Sequence, residues 1–420
     1  MKINLHILFV TLISVMYSQA QEVTVDISMG AGYSNEIYYK LSTQTETVFT
    51  ANQWDIAFLR TSIFDLGVRV NDGVGIQVFE AANTPAGYDT VDVTNESTWT
   101  QLYNSDTNWS SGAFMNTSIS GNPFPASGFG NYNGGNNTVE GQIVFVLKYP
   151  DGSYKKFFIE TYLGAYTFKY SSWTGSAWTA DITETVANSS NPNNRFNYYS
   201  LQTDSEVIAE PAATDWDFVF RKYNSFLNPP GQYYNVTGVL HNPNVEIAQN
   251  DEPGGMLMNP SLTYLDNMNT IGYDWKAFGG SGIVVDSNQA FYIKYADDTV
   301  YRLTFTAFSG TSSGDLTFVI NNVTDALSIA DVSQNVSFGI YPNPSSDKQI
   351  NLVYDVSALD GNNNNVAIYS STGQKVYETA LKSNSGFYNK SLDLSSLSSG
   401  IYVLQFTSGA FSTTKKIILN

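Results

Sequence analysis

The chain repeats part of itself at a fixed separation. Phe145-Val146-Leu147-Lys148-Tyr149-Pro150-Asp151 returns as Phe291-Tyr292-Ile293-Lys294-Tyr295-Ala296-Asp297. The copies then run on without a gap, Lys156 matching Arg302, Tyr162 matching Phe308 and Gly164 matching Gly310, always 146 positions apart. Upstream, Tyr38-Tyr39-Lys40-Leu41 before Trp54-Asp55-Ile56-Ala57-Phe58-Leu59-Arg60 is echoed by Tyr198-Tyr199-Ser200-Leu201 before Trp216-Asp217-Phe218-Val219-Phe220-Arg221. An offset that holds over such a stretch is not a chance alignment. It implies two copies of one folding unit, at about 21–190 and 191–330.

The matched stretches read as strands. Each Lys-Tyr-x-Asp segment lies between alternating apolar runs, giving a strand, a turn at Pro150-Asp151-Gly152 or Ala296-Asp297-Asp298, and a second strand. The Trp-Asp-x-x-Phe segments have period 2, which sets Trp54, Ile56 and Phe58 on one face with Asp55 and Ala57 on the other and makes the indole a core anchor. Asp55 and Asp217 are expected to close a turn or to pair with Arg60 or Arg221. Aromatic residues make up 14% of the chain, no fewer than the charged ones, and Gly and Asn turns punctuate the strand formers. That balance fits an all-β fold. With 420 residues there is too much chain for one core. Ser127–Asn137 and Asn188–Asn194 read as exposed loops, the second marking the boundary between copies.

The two ends read differently from the middle. Residues 1–20 carry Lys2, then the apolar run Leu5–Met16, then Ser18-Gln19-Ala20, the order of a secretory signal peptide cleaved after Ala20. The run falls short of the roughly 20 apolar residues that span a bilayer. No cysteine is present, which excludes disulfides, thiolate chemistry, cysteine-bound metals and a lipid anchor on cysteine. A net charge of −18 repels phosphate backbones and argues against a nucleic-acid partner. After a linker at 331–337, residues 338–420 form short alternating runs broken by Gly and Asn, the pattern of a small Ig-like β-sandwich. They open with Tyr341-Pro342-Asn343-Pro344, pass through the Thr372-Gly373-Gln374-Lys375-Val376 turn and the Ser399-Gly400-Ile401-Tyr402 strand start, and end in Lys415-Lys416-Ile417-Ile418.

That series of motifs resembles the type A C-terminal sorting domain of the type IX secretion system of Bacteroidota. The resemblance implies engagement of the type IX machinery, passage across the outer membrane and removal of the tail. Release or attachment to surface polysaccharide would follow. It describes how the cargo travels, not what the cargo does.

The cargo itself resembles the HmuY family of haem-binding surface proteins. The likeness rests on the two Trp-Asp strands and on Tyr154–Phe158 and Tyr301–Phe305. It implies an all-β fold, and a haem held between two axial side chains, His or in some members Met. Apart from His6 in the leader, His241 is the single histidine, so a bis-histidine site within one molecule is excluded. His241 with a thioether from Met256, Met258 or Met268 would be a chemically sound pair for haem iron. The alternative is that His241 ends the strand Tyr234–Leu240 while Met256 and Met258 seat a loop on the core.

Enzyme signatures are scarce. There is no Gly-x-Ser-x-Gly elbow, no His-Glu-x-x-His helix and no phosphate-cradling loop. Asp251-Glu252 could hold calcium but reads more simply as a solvated turn. The expectation is an exported, non-catalytic binding protein, with haem or another tetrapyrrole as ligand. A glycan-binding adhesin using exposed aromatics is the alternative, and a carboxylate-based hydrolase is third.

Overall fold

Antiparallel strands provide nearly all the regular structure, as the alternation in the sequence requires. The computed structural model describes residues 22–420 except 65, 120–127, 258–259, 281, 325–326, 328–335, 357–363, 383–385 and 409–410. The expected leader at 1–20, the expected linker up to residue 335 and Met258 lie outside the described residues.

The first run of strands is β1 (Val23–Ser28), β2 (Asn35–Lys40), β3 (Thr45–Thr50), β4 (Ile56–Leu59), β5 (Val68–Val70), β6 (Gln77–Ala82), β7 (Thr100–Leu102), β8 (Gly130–Asn133), β9 (Thr138–Gly141), β10 (Val144–Lys148), β11 (Tyr154–Tyr162) and β12 (Ala165–Ser172). The second is β13 (Ile182–Ala187), β14 (Phe196–Ser200), β15 (Ser205–Val207), β16 (Phe218–Leu227), β17 (Gln232–His241), β18 (Val245–Asp251), β19 (Lys276–Gly279), β20 (Gly282–Val285), β21 (Gln289–Tyr295), β22 (Val300–Phe308) and β23 (Asp315–Asn322).

The repeat seen in the sequence is a repeat of backbone detail. The hairpin β10–β11 matches β21–β22, and the turn position filled by Gly152 in one (φ 84°) is filled by Asp298 in the other (φ 64°). A register shift between Ile159 and Thr161 recurs between Phe305 and Ala307, the same 146 positions on. The correspondence also extends to the hairpins β8–β9 and β19–β20, where Tyr132 lies opposite Val139 and Phe278 opposite Ile283. The stretch read from sequence as an exposed Gly- and Asn-rich loop, ending at Asn137, therefore includes β8 and the turn that leads into β9.

The copies do not fold as consecutive bodies divided near residue 190. β1 pairs with β23, the last strand of the second run, just as β13 pairs with β12. β2 pairs with β16, and β14 pairs with β4, so each Tyr-Tyr strand lies on the Trp-Asp strand of the other copy and not on that of its own. One core forms around Phe58, Phe114, Phe145, Phe157, Phe168 and Tyr199 from a continuous stretch. The other packs Ile27, Met29, Ile37 and Tyr39 from the N-terminus against Phe218, Phe291, Phe305 and Phe318. Between them lies a waist of Tyr38, Trp54, Trp109, Tyr198, Trp216 and Met268.

Trp54 and Trp216 are buried core residues, as expected, but not on the expected face. Ile56 and Phe58 enter the first core, whereas Trp54 packs with Ala57 and Leu59 in the waist. Alternation does not reach back to Trp54 because β4 begins at Ile56.

The tail is a separate compact unit. Its strands are β24 (Val336–Tyr341), β25 (Gln349–Val356), β26 (Asn364–Ser370), β27 (Lys375–Ala380), β28 (Gly386–Asp393), β29 (Gly400–Ser408) and β30 (Phe411–Leu419). Two sheets, β24-β25-β28 and β27-β26-β29-β30, share a core of Ile350, Leu352, Ile368, Leu404, Phe406 and Ile417.

Candidate functional site

The duplicated aspartates are structural. Asp217 is fully buried; its carboxylate accepts from Leu41 N–H (2.7 Å), Lys40 Nζ (2.7 Å) and the Tyr295 hydroxyl, while its own N–H donates to Tyr39 O (2.8 Å). Asp55 repeats the arrangement with neutral donors, accepting from Leu201 N–H (2.6 Å) and Gln202 Nε2 (3.1 Å) as its N–H donates to Tyr199 O (2.9 Å). Burial, first of all, pushes the Asp55 carboxyl above its ordinary range, against the donors that favour the charged form. Both residues close turns, as one expectation had it. The expected arginine pairings do not form: Arg60 donates to the carbonyls of Asn188, Pro192 and Asn194, and Arg221 pairs with Glu36 at 3.0 Å. Glu252 is likewise engaged, by Arg302 Nη2 at 2.6 Å and the Tyr292 hydroxyl at 2.5 Å, rather than standing in a solvated turn.

His241 ends β17 with its ring fully buried. Nδ1 lies 3.0 Å from Asn242 O and Nε2 2.6 Å from Asn267 O. Burial lowers the imidazole pKa, against the two carbonyls, which raise it. Each ring nitrogen faces a carbonyl, so whichever tautomer is present the single lone pair of the neutral ring does not point to open space. Val70 holds the matching place in the first copy: Asn71 and Asn242, next in line, make the same pair of side-chain bonds, to Ala51 O and Trp54 O and to Ala213 O and Trp216 O. Of the sulfur candidates, Met268 is buried in the waist with its carbonyl accepting from His241 N–H (2.7 Å), Met256 is partly exposed, and Met258 falls outside the described residues.

A site that sequence reasoning missed lies on the first half. Ile63 and Phe64, from the connection after β4, face Tyr132, Asn137 and Val139 of the β8–β9 hairpin and Tyr162, Leu163 and Gly164 of the β11–β12 turn. Together with Leu66 they enclose a cleft of about 450 Å³, within the roughly 300–1,000 Å³ typical of small-molecule sites. Ile63, Phe64 and Leu163 are 57%, 63% and 62% exposed and cluster around one concavity, whereas apolar residues scattered singly over a surface would need no explanation. None of the described lining residues is charged, and the polar groups at the rim are the Tyr132 hydroxyl, which donates to Asn137 Oδ1 (2.8 Å), and the Tyr162 hydroxyl, which accepts from Asn188 Nδ2 (2.8 Å). The one sequence signal was the Ile63-Phe64 pair in a connection otherwise rich in small and polar residues.

In the tail the structure brings the two ends of the motif series together. The Asn343 side chain stands in for a peptide group, donating through Nδ2 to Lys416 O (2.8 Å) and accepting from Ile418 N–H (2.9 Å) through Oδ1. Ser345 N–H then donates to Ile418 O and Asn420 N–H to Ser345 O, both at 2.9 Å. Lys415 reaches back to Phe338 O (2.8 Å) and lies over that ring. Tyr341 remains half exposed, Pro342 and Pro344 flank the clamp, Gly373 supplies the left-handed turn (φ 82°), and Gly400 opens β29. The spacing of Tyr341-Pro342-Asn343-Pro344 and Lys415-Lys416 is thus one closing contact.

Residues 339–420 match the family model of the secretion system C-terminal sorting domain. A crystal structure of apo PinO from Porphyromonas gingivitis is similar over 72% of this chain and 96% of its own, with 10% identity and a TM-score of 0.22. No curated protein matches the chain. The clamped sandwich at 339–420 is therefore a secretion system C-terminal sorting domain, and it marks the chain for type IX export to the cell surface or beyond it.

Proposed function

We propose that the chain is an exported, non-catalytic binding protein whose ligand seat is the apolar cleft between Ile63, Phe64 and Leu66, the β8–β9 hairpin and the β11–β12 turn. The exposure of Ile63, Phe64 and Leu163 around one concavity, whose described lining is mainly apolar, carries this reading. The duplicated carboxylates support a role other than catalysis, because both are buried and engaged by backbone N–H groups. A tetrapyrrole remains the ligand class suggested by the family resemblance; in this reading the cleft walls hold its macrocycle. Nile red and haemin titrations of the chain without its leader test the assignment. Leu163→Asp, on an exposed turn, is expected to weaken both at least tenfold, whereas His241→Ala leaves the haemin Soret band unchanged. Unaltered binding by Leu163→Asp would exclude the cleft, and a band lost only in His241→Ala would return the histidine as ligand.

A glycan-binding reading has one observation of its own. Phe226, Tyr233 and Tyr234 are exposed on the β16–β17 hairpin, with Tyr103 stacked on Tyr233 at 3.6 Å. Glycan-array binding lost in Tyr234→Ala and retained in Leu163→Asp would favour it.

A further inference from the structure

The β8–β9 hairpin that walls the cleft holds a chemically labile amide. Asn133-Gly134 is the single Asn-Gly pair in the sequence. An asparagine amide is open to attack by the backbone nitrogen of the next residue, and a glycine there has no Cβ to shield that nitrogen. The pair lies at the turn between β8 and β9, where Gly134 is exposed and Asn133 is partly buried. Asn133 Oδ1 accepts from Gly135 N–H at 2.9 Å, which draws electron density from the amide carbon. Asn133 Nδ2 donates to Glu140 Oε1 at 2.7 Å, and Asn136 Nδ2 donates to the same oxygen at 3.3 Å. Those two amides, Asn133 first, hold the Glu140 carboxyl below its ordinary range, so Glu140 is charged at neutral pH. The contact belongs to the half with the cleft: in the matching hairpin β19–β20 the places of Asn133 and Glu140 are taken by Gly279 and Val284.

We propose that Asn133 is a deamidation site, and that its conversion to a carboxylate loosens the β8–β9 wall and weakens the cleft's hold on its ligand. The second part rests on the cleft being the ligand seat. In the reaction, Gly134 N gives its proton to solvent and its electron pair forms a bond to Asn133 Cγ. The Cγ–Nδ2 bond breaks, and the nitrogen takes up a proton and leaves as ammonia. Water then opens the resulting cyclic imide at either carbonyl, leaving aspartate or isoaspartate at position 133. One water is consumed and one ammonia released, with no change of oxidation state. The donor that held Glu140 thereby becomes a second carboxylate on the same face of the ladder, and like charges so placed destabilise a strand pair. Isoaspartate also lengthens the main chain by one carbon, against the register of Asn133 with Thr138. Tyr132 and Val139, paired across the same two strands, line the cleft from the other face, so the wall yields with the hairpin.

Mass-spectrometric peptide mapping of the purified chain, held at mildly alkaline pH and sampled over days, tests the site. Asn133 is expected to change from amide to acid about tenfold faster than the other asparagines, and Gly134→Ala to bring it down to their rate. Alanine fits there, because Gly134 lies outside the left-handed region and a Cβ would meet only Tyr132 Cε1, at 3.8 Å. Nile red tests the consequence. Asn133→Asp is expected to weaken uptake about threefold, and adding Glu140→Gln, which removes the opposing charge, to restore it. An Asn133 that keeps its amide as long as the other asparagines do, or a Gly134→Ala chain that deamidates like the wild type, overturns the site. Wild-type uptake by Asn133→Asp, or a loss that Glu140→Gln does not rescue, overturns its effect on the cleft. Failure of the cleft itself looks different: Leu163→Asp then takes up the dye as the wild type does, and the effect on binding falls with the cleft, while the mapping still decides whether Asn133 is modified.

Discussion

Asp217 and Asp55 occupy equivalent places and differ in what they hold. Asp217 faces the Lys40 ammonium, Leu41 N–H and the Tyr295 hydroxyl, whereas Asp55 faces neutral donors. Asp217→Ala would strand a largely buried cation and two donors, and is expected to lower unfolding stability by about 3–5 kcal/mol, against about 1–3 kcal/mol for Asp55→Ala. Urea denaturation of the two variants checks the order; equal losses would show that the ion pair adds nothing. Glu210 gives a pH signature. Its buried carboxyl accepts from Phe196 N–H (2.7 Å) and the Tyr198 hydroxyl (3.0 Å), yet burial outweighs these donors and pushes its pKa up to about 7. Because the folded value lies above the ordinary one of 4.5, the unfolded chain releases the proton first, and the stability attached to the neutral form is lost as pH rises from about 4.5 to about 7. Glu210→Gln, which cannot ionise, is expected to narrow or reverse its stability deficit against the wild type between pH 5 and pH 8. A gap that does not change with pH would show the carboxyl to be ordinary. At this scale the sequence displayed the recurring aspartates but hid their partners, since Lys40 and Asp217 are far apart in the chain and the expected arginine neighbours turn elsewhere.

Strands, turns and even the 146-residue repeat were legible, because period-2 alternation and turn residues are local signals. The exchange of N-terminal strands was not. Both Tyr-Tyr strands carry the same apolar pattern, and either could lie on either Trp-Asp strand as far as hydrophobicity decides. The cleft was equally hidden, since it forms where three separate connections meet. What selects the partners is a pair of positions that differ between copies. Arg221, next to the paired Phe220 and Ile37, binds Glu36 at 3.0 Å, and the equivalent place in the other copy holds Phe196 opposite Leu59. Mispairing would set Glu36 beside Leu59 and Phe196 beside Arg221, burying two unpaired charges. Arg221→Leu alone should therefore lower stability by about 3–5 kcal/mol. Joining it with Glu36→Phe should restore most of the stability while letting wrongly paired or strand-exchanged dimers accumulate on refolding. Size-exclusion chromatography after dilution from urea would reveal them, and a double variant that refolds as cleanly as the wild type would assign specificity to the loops.

Two compact units share the chain, and each closes its own ends. The cargo is finished only when β23 receives β1, so the first and the last described strands of the cargo meet in one sheet. The sorting unit closes through Asn343, whose side chain takes the place of a peptide group against β30, with Ser345 and Asn420 continuing the contact. Asn343→Ala removes one donor and one acceptor at this seam, and about 1–3 kcal/mol of the tail's stability should go with them. Because the cargo has its own cores, its unfolding transition and its Nile red uptake should not move. Export should. In a cell with an active type IX system, the variant is expected to accumulate behind the outer membrane with its cargo folded, as a chain ending at residue 323 would. Fractionation with surface proteolysis distinguishes the outcomes: normal surface delivery of Asn343→Ala would mean that recognition uses features outside the clamp. Loss of delivery with a tail as stable as the wild type's would mean that Asn343 is read directly by the machinery rather than through the closure it makes.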